Sequence, residues 1–305
     1  MNPNHLKPSP RPASASMTRR HALKQSTAAA AVWSLAGPLV PLFAAPAGRG
    51  FKIGACDWSI GRLAQVSALE LAREIGLDGV QVSLGTAAND MHLRQAQVQQ
   101  AYHEAAREHG VAVASLAIGE LNNIPYKKDP RTIEWVNDSI DVCQSMQTRV
   151  VLLAFFHHND LKNDPDGRDE TVRRLKEVAP RAERANIILG LETWLSAEEH
   201  MDIIERVGSP AVKVYYDVAN SEKMGYDIYE EIRWLGRQGQ ICEFHMKENG
   251  ALLGQGKVDF KRVRAAIDDI GYTGWIQIEG AIPPGGEIAE SYTANRKFLR
   301  GLFPV

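Results

Sequence analysis

The sequence is poor in cysteine. Cys56, Cys143 and Cys242 are the only thiols in 305 residues, too few and too scattered for a disulfide framework. The odd count leaves at least one unpaired within the chain. Two fall on predicted strands and one on a predicted helix, settings that suit small buried hydrophobes. Beyond residue 47 no apolar run is long enough to span a bilayer, which argues against stable membrane insertion of the mature chain. No G-x-G-x-x-G follows the first predicted strand, which weighs against an open dinucleotide-binding sheet, and no glycine loop of the phosphate-cradling kind is evident. Acid is missing altogether from residues 1–47, which carry Lys7, Arg11, Arg19, Arg20 and Lys24. The remainder holds 30 bases against 37 acids, a net of −7. Such a body offers no electrostatic footprint for nucleic acid or an anionic membrane.

The first residues read as an address. Residues 1–16 are rich in Pro, Ser and Ala and have no hydrophobic period. Thr18-Arg19-Arg20-His21-Ala22-Leu23-Lys24 follows, then an apolar run over about 28–43, then the small-x-small site Ala45-Pro46-Ala47. Basic, apolar and small-residue regions in that order describe a secretory signal. The segment resembles a twin-arginine signal, Ser/Thr-Arg-Arg-x-Phe-Leu-Lys, with Ala22 in the place of Phe. The alternative is an ordinary signal or anchor around a chance arginine pair. The expectation is a leader over 1–47 and a body over 51–305 exported to the periplasm by the twin-arginine route.

The body alternates β-rich runs with amphipathic helical runs eight times. Strands are expected over 51–56, 79–84, 111–118, 149–156, 186–193, 212–218, 241–247 and 274–279. The helices after them are expected at 67–76, 95–109, 130–146, 168–185, 197–207, 227–237, 260–270 and 287–302. Gly76, Gly110, Gly208 and Gly271 stand just past helix ends, where a left-handed cap is wanted. Such alternation denotes parallel βαβ units, and eight units close a single (β/α)₈ TIM barrel.

Active sites of such barrels lie at the C-terminal ends of strands. Strands five to eight end in Glu192, Asp217, His245 and Glu279, each after an apolar run. One such residue alone would be a solvated or salt-bridged side chain. Four on consecutive strands would be costly to bury side by side unless something neutralised them. Three carboxylates and a neutral imidazole supply −3, which one divalent cation offsets. Three oxygen donors and one nitrogen without thiolate favour Mn²⁺, Co²⁺ or Mg²⁺, and Zn²⁺ accepts the same ligand types. Around these residues, Lys247 shares the strand face of His245. His157 and His158 follow strand four, Glu120 follows strand three, and Asp57-Trp58 follow strand one. Trp58 and Trp194 suit either stacking on a sugar or plugging the barrel mouth.

From residue 51 onward the chain resembles the xylose isomerase-like barrel superfamily, in its sugar phosphate isomerase/epimerase branch. His245-Met246-Lys247-Glu248 and the glycine-rich turn Gly254-Gln255-Gly256-Lys257-Val258-Asp259-Phe260 match its motifs. The resemblance implies that Glu192, Asp217, His245 and Glu279 bind one metal ion, Mn²⁺ foremost, and that dimers or tetramers form. Asp217-Val218-Ala219-Asn220 departs from the family's Asp-x-x-His: Asn220 can hydrogen-bond a sugar oxygen but cannot take a proton. The arginine that some ketose epimerases carry after strand seven has no match within 249–253. Both departures count against a ketohexose epimerase more than against the metal site.

The resemblance implies enediolate chemistry, with Glu192 and Glu279 as acid and base on opposite faces of a sugar. Asn220, Lys247, His157 and Trp58 are the residues expected to bind it, Lys247 suiting equally a structural ion pair with a nearby acid. An isomerase or epimerase of an unphosphorylated sugar, keto-sugar or cyclitol is the leading expectation. A lyase cleaving keto-glycosides by β-elimination and a non-catalytic sugar or metal receptor are the alternatives. The superfamily's endonucleases for abasic DNA use a His-rich trinuclear zinc site, for which this chain has too few strand-end histidines.

Overall fold

The computed structural model describes residues 50–304, so the expected leader lies outside the described residues. Eight parallel strands form one closed ring: β1 Lys52–Cys56, β2 Gly79–Ser83, β3 Ala112–Ile118, β4 Val150–Phe155, β5 Ile188–Thr193, β6 Val212–Asp217, β7 Ile241–Lys247 and β8 Trp275–Glu279. Each pairs with its sequence neighbours, and β8 closes on β1 through Ile53↔Ile276 and Gly54↔Gln277. Helices alternate with them: α1 Ala68–Ile75, α2 Ala96–His109, α3 Arg131–Ser145, α4 Pro165–Ala185, α5 Ala197–Val207, α6 Val218–Lys223, α7 Ile228–Arg237, α8 Phe260–Asp269 and α9 Ile288–Leu302. No helix among the described residues is long and apolar enough to cross a membrane.

The expected (β/α)₈ barrel is therefore present, with one addition. The segment after β6 does not run as a loop to residue 227 but folds at once into the short helix α6. Asp217 starts it, its Oδ1 accepting from the backbone N–H groups of Ala219 and Asn220 at 2.8 Å each. The four glycines expected at helix ends all have positive φ, between 65° and 82°, a conformation that costs a residue with a Cβ about 1–2 kcal/mol.

The core is divided unequally. Outward-facing strand residues pack against helices in one continuous apolar layer, with Ile53, Val82, Leu116, Leu153, Leu191, Phe244 and Ile276 almost wholly buried. Each such side chain contributes roughly 1.5–3 kcal/mol when buried. The barrel interior holds a much smaller apolar group, Ala117, Val150, Leu152, Ala154 and Tyr215. Beside it are the buried polar residues Gln81, Ser115, Glu243, His245 and Gln277. Barrel interiors are ordinarily layers of bulky branched side chains; here one layer is polar, and it lies directly under the strand-end residues.

Candidate metal and active site

Side chains alternate across a strand, so residues two apart on β7 form an inward column: Glu243 lowest, His245 above it, Lys247 at the rim. Register places Asp217 beside His245 and Glu279 beside Lys247, while Glu192, one residue before the end of β5, lies next to Ala154. One ligand atom from each of Glu192, Asp217, His245 and Glu279 lies within 4.8 Å of the other three. His245 Nδ1 is the point of convergence, at 2.8 Å from Glu192 Oε1, 3.5 Å from Glu279 Oε2 and 3.9 Å from Asp217 Oδ2.

Whether these residues fit a divalent cation is tested by Asp217. Its Oδ1 is committed to capping α6, but its Oδ2 is buried without a hydrogen-bond partner, the Lys247 ammonium standing 3.5 Å off, and it faces the cluster. An unpartnered buried carboxylate oxygen is costly, and a cation removes the cost. Three carboxylates and one imidazole nitrogen, with the Cys56 thiol on the far edge of the imidazole at 3.3 Å from Nε2, make a donor set suited to Mn²⁺, Co²⁺, Mg²⁺ or Zn²⁺.

Protonation follows the same crowding. Burial pushes Asp217 up to about 7, with the Glu279 and Glu192 charges adding to it. Glu279 is buried too, but the Lys247 ammonium 2.7 Å from its Oε2 draws it down to about 2. Burial works against charging His245, yet Cys56 against its ring, together with the Glu192 and Glu279 carboxylates, more than offsets this and holds its pKa well above the ordinary range. Burial keeps the Cys56 thiol protonated, pushed up to about 12.

Above the cluster opens a cavity of about 390 Å³. Its lining includes Glu192, Glu279, Trp58, Asn220, Lys247 and His157, so every residue expected to touch substrate borders it. Trp58 does more than present a ring: its Nε1–H donates to Glu279 Oε1 at 2.8 Å. Lys247 likewise lines the cavity while paired to Glu279, so both of its expected roles are compatible with its place. His157 sits in the left-handed region at φ 51°, with Trp194 edge-on at 6.0 Å between ring centroids. His158 instead turns toward the Asn123 carbonyl and does not line the cavity. Glu120 lines it; Asp57 does not. Asp57 is fully buried and accepts from Ser83 N–H, Ser83 Oγ–H and Ala64 N–H, tying the loop after β1 to β2. Glu248 and the glycine-rich turn prove to be one unit, since the carboxylate accepts from the N–H groups of Lys257 and Val258. A Cβ on Gly256 would meet that carboxylate at 2.1 Å.

A (β/α)₈ barrel whose strand mouth gathers three carboxylates and an imidazole under an open cavity is, by class, a barrel whose mouth could hold one metal ion. The chain belongs to the xylose isomerase-like TIM barrel family, which it matches over residues 69–302. It is 25% identical to the D-psicose 3-epimerase of Enterocloster bolteae over 247 residues, covering 75% of this chain and 80% of that protein. It is 25% identical to the 2-epi-5-epi-valiolone 7-phosphate 2-epimerase of an Actinoplanes species over 228 residues, covering 71% and 82%. The crystal structure of a xylose isomerase domain protein from Planctomyces limnophilus matches with a TM-score of 0.68 at 21% identity, covering 83% of this chain and 98% of that one.

Proposed function

We propose that the protein is a divalent-metal-dependent epimerase or isomerase of an unphosphorylated sugar, keto-sugar or cyclitol. One observation carries the reading. Of the four clustered residues, Glu192 and Glu279 line the cavity, whereas Asp217 and His245 lie behind them. Two carboxylates three strands apart can thus reach a ligand while still belonging to the cluster. The two curated relatives are named as epimerases, which supports the same class.

A cation held by Glu192, Asp217, His245 and Glu279 would polarise a substrate carbonyl and acidify the neighbouring C–H. The protein's own groups do the rest. One of Glu192 and Glu279 removes the proton and the other delivers one to the same carbon, inverting it. Trp58 and Lys247 each hold one oxygen of Glu279, which fixes the carboxylate relative to the substrate carbon. Asn220, on the first turn of α6, is placed to bind a sugar oxygen. Among the described residues that line the cavity, Lys247 is the one permanent cation, and Glu279 already occupies it. That supports an uncharged sugar over a phosphorylated one.

A second reading has its own support. The cavity extends past the cluster to Phe156 and Trp194, whose rings lie 5.1 Å apart and make an aromatic wall. Such a wall suits a second ring, and proton removal beside a ketone would then eliminate a glycosidic substituent. Incubation of free and keto sugars and keto-glycosides in D₂O with Mn²⁺ separates the cases. Deuterium at one carbon with inversion supports the epimerase, release of the glycosidic substituent supports the lyase, and unlabelled, intact sugar throughout contradicts both. Export by the twin-arginine route, supported by Arg19-Arg20 and the apolar run after it, is part of the same proposal. A fusion that stays cytoplasmic with Arg19 and Arg20 intact would count against it.

A further inference from the structure

Beneath the ligand cluster, buried polar side chains form a chain whose direction can be read from the donors. We propose that Glu243, acting through Ser115, Tyr215 and Gln81, is a positioning residue of the metal centre that keeps a proton on Nε2 of His245, so that Nδ1, which meets Glu192 Oε1 at 2.8 Å, is the nitrogen that gives up its proton to bind a cation. This rests on the metal reading above.

His245 Nε2 lies 2.8 Å from Gln81 Oε1, and the Cys56 thiol donates to the same oxygen at 3.3 Å. The amide nitrogen of Gln81 donates to Ser115 Oγ and to Tyr215 Oη, each at 3.0 Å. Both hydroxyls, having accepted from the amide, donate onward to Glu243 Oε2, at 2.9 and 3.0 Å. An amide offers its oxygen on one side and its N–H groups on the other. With two hydroxyl donors fixed on a single Glu243 oxygen, Gln81 can present only its oxygen to His245. The imidazole must then carry its proton on Nε2. The direction is the same whether or not the other oxygen of Glu243 bears a proton, since Oε2 accepts in both cases.

The sheet itself is bent to this purpose. The β2–β3 ladder pairs Val80 with Val113 and then Gln81 with Ser115, skipping Ala114. The β6–β7 ladder pairs Val214 with Ile241 and then Tyr215 with Glu243, skipping Cys242. These are the two register shifts in the barrel's paired strands, and each sets a hydrogen-bonded pair of the chain side by side. A bulge of this kind re-aims side chains at the expense of a regular ladder. Groups behind a metal-binding histidine fix its tautomer and raise its basicity, and their loss typically weakens metal affinity about 10–100-fold.

The test is Mn²⁺ affinity of the purified full chain, read by electron paramagnetic resonance of the free ion. Glu243→Met, and independently Gln81→Met, should each weaken Mn²⁺ binding by about 10–100-fold. The double variant should be no weaker than the worse single one, because both break one chain. Glu243→Gln, whose side-chain oxygen still accepts both hydroxyls, should bind within a few-fold of wild type. In the ¹⁵N-histidine spectrum of the Mg²⁺-loaded wild type, His245 should carry its proton on Nε2. Unchanged Mn²⁺ affinity in folded Glu243→Met and Gln81→Met, additive losses, or a proton on Nδ1 would each overturn the proposal. Should Glu243→Met not fold, Gln81→Met and the spectrum still decide. Absence of Mn²⁺ binding in the wild type would instead remove the metal reading on which this rests.

Discussion

The two halves of the barrel end their strands differently. β5 to β8 carry Glu192, Asp217, His245 and Glu279 at or within two residues of their C-terminal ends, all within reach of one ion. β1 to β4 finish in Cys56, Ser83, Ile118 and Phe155: a thiol held neutral, a hydroxyl that donates to Asp57, and two side chains with no donor atom for a cation. Yet the first half is not idle. Trp58, just after β1, holds Glu279, Gln81 on β2 holds His245, and Phe156 after β4 walls the cavity. One half supplies the clustered side chains that could hold an ion and the other supplies groups hydrogen-bonded to them, and the ring closure between β8 and β1 brings the two together.

That division can be broken by substitution. Glu192→Gln and Glu279→Gln, on the ligand half, should each lower solvent deuterium wash-in by about 10²–10⁴-fold, the usual worth of a general acid or base, with the circular dichroism spectrum unchanged. An equal loss in Glu120→Gln, on the other half, would erase the distinction. Asp57→Ala should act on stability alone. Three donors, Ser83 N–H, Ser83 Oγ–H and Ala64 N–H, lose their acceptor, which costs about 3 kcal/mol in a denaturant melt, while Mn²⁺ affinity stays at its wild-type value. Trp58→Phe should lie between these, keeping the fold but lowering turnover about 10–100-fold through a misplaced Glu279.

The smallest effect sharpens the comparison from the ligand half. His200 on α5 is fully enclosed, with Nδ1–H donated to the Ser196 carbonyl and Nε2 accepting from Thr193, the residue after Glu192. Burial lowers its pKa to about 4. The unfolded chain takes up this proton below its ordinary value of 6.5 and the folded protein only below about 4. Stability from this group is therefore complete above pH 6.5 and lost as pH falls through that window. Wild type should lose about 1 kcal/mol between pH 7 and 5.5 relative to His200→Gln, measured by urea unfolding. A parallel pH dependence in the two proteins would show that His200 is not held neutral.

Much of this is written plainly in the sequence. The barrel is legible because strand and helix periods alternate eight times, and the ligand residues because each follows an apolar run at a strand's end. What escapes reading depends on three-dimensional detail. α6 exists because Asp217 caps it, so a residue read as a ligand is also a helix start, and its two oxygens divide those tasks. His157 and His158 are adjacent and alike in sequence, but the left-handed backbone at His157 turns one ring into the cavity and leaves the other outside. Glu243 and Gln81 carry a faint signal, polar residues set in the apolar runs Cys242-Glu243-Phe244 and Val80-Gln81-Val82. Their pairing depends on the skipped residues Ala114 and Cys242, which no two-residue period reveals. Trp58 was legible as an aromatic residue at the barrel mouth, but its hydrogen bond to Glu279 spans the closure of the ring.

Calorimetric titration of the purified chain with Mn²⁺, beside its Asp217→Asn variant, tests the convergence of these side chains most directly. Asparagine can still cap α6 through its amide oxygen, so only the Asp217 oxygen that faces the cluster is replaced. One ion per chain in the wild type, with affinity lowered at least about tenfold in the variant, is the expected result. No binding in the wild type, or equal binding in both proteins, would contradict it.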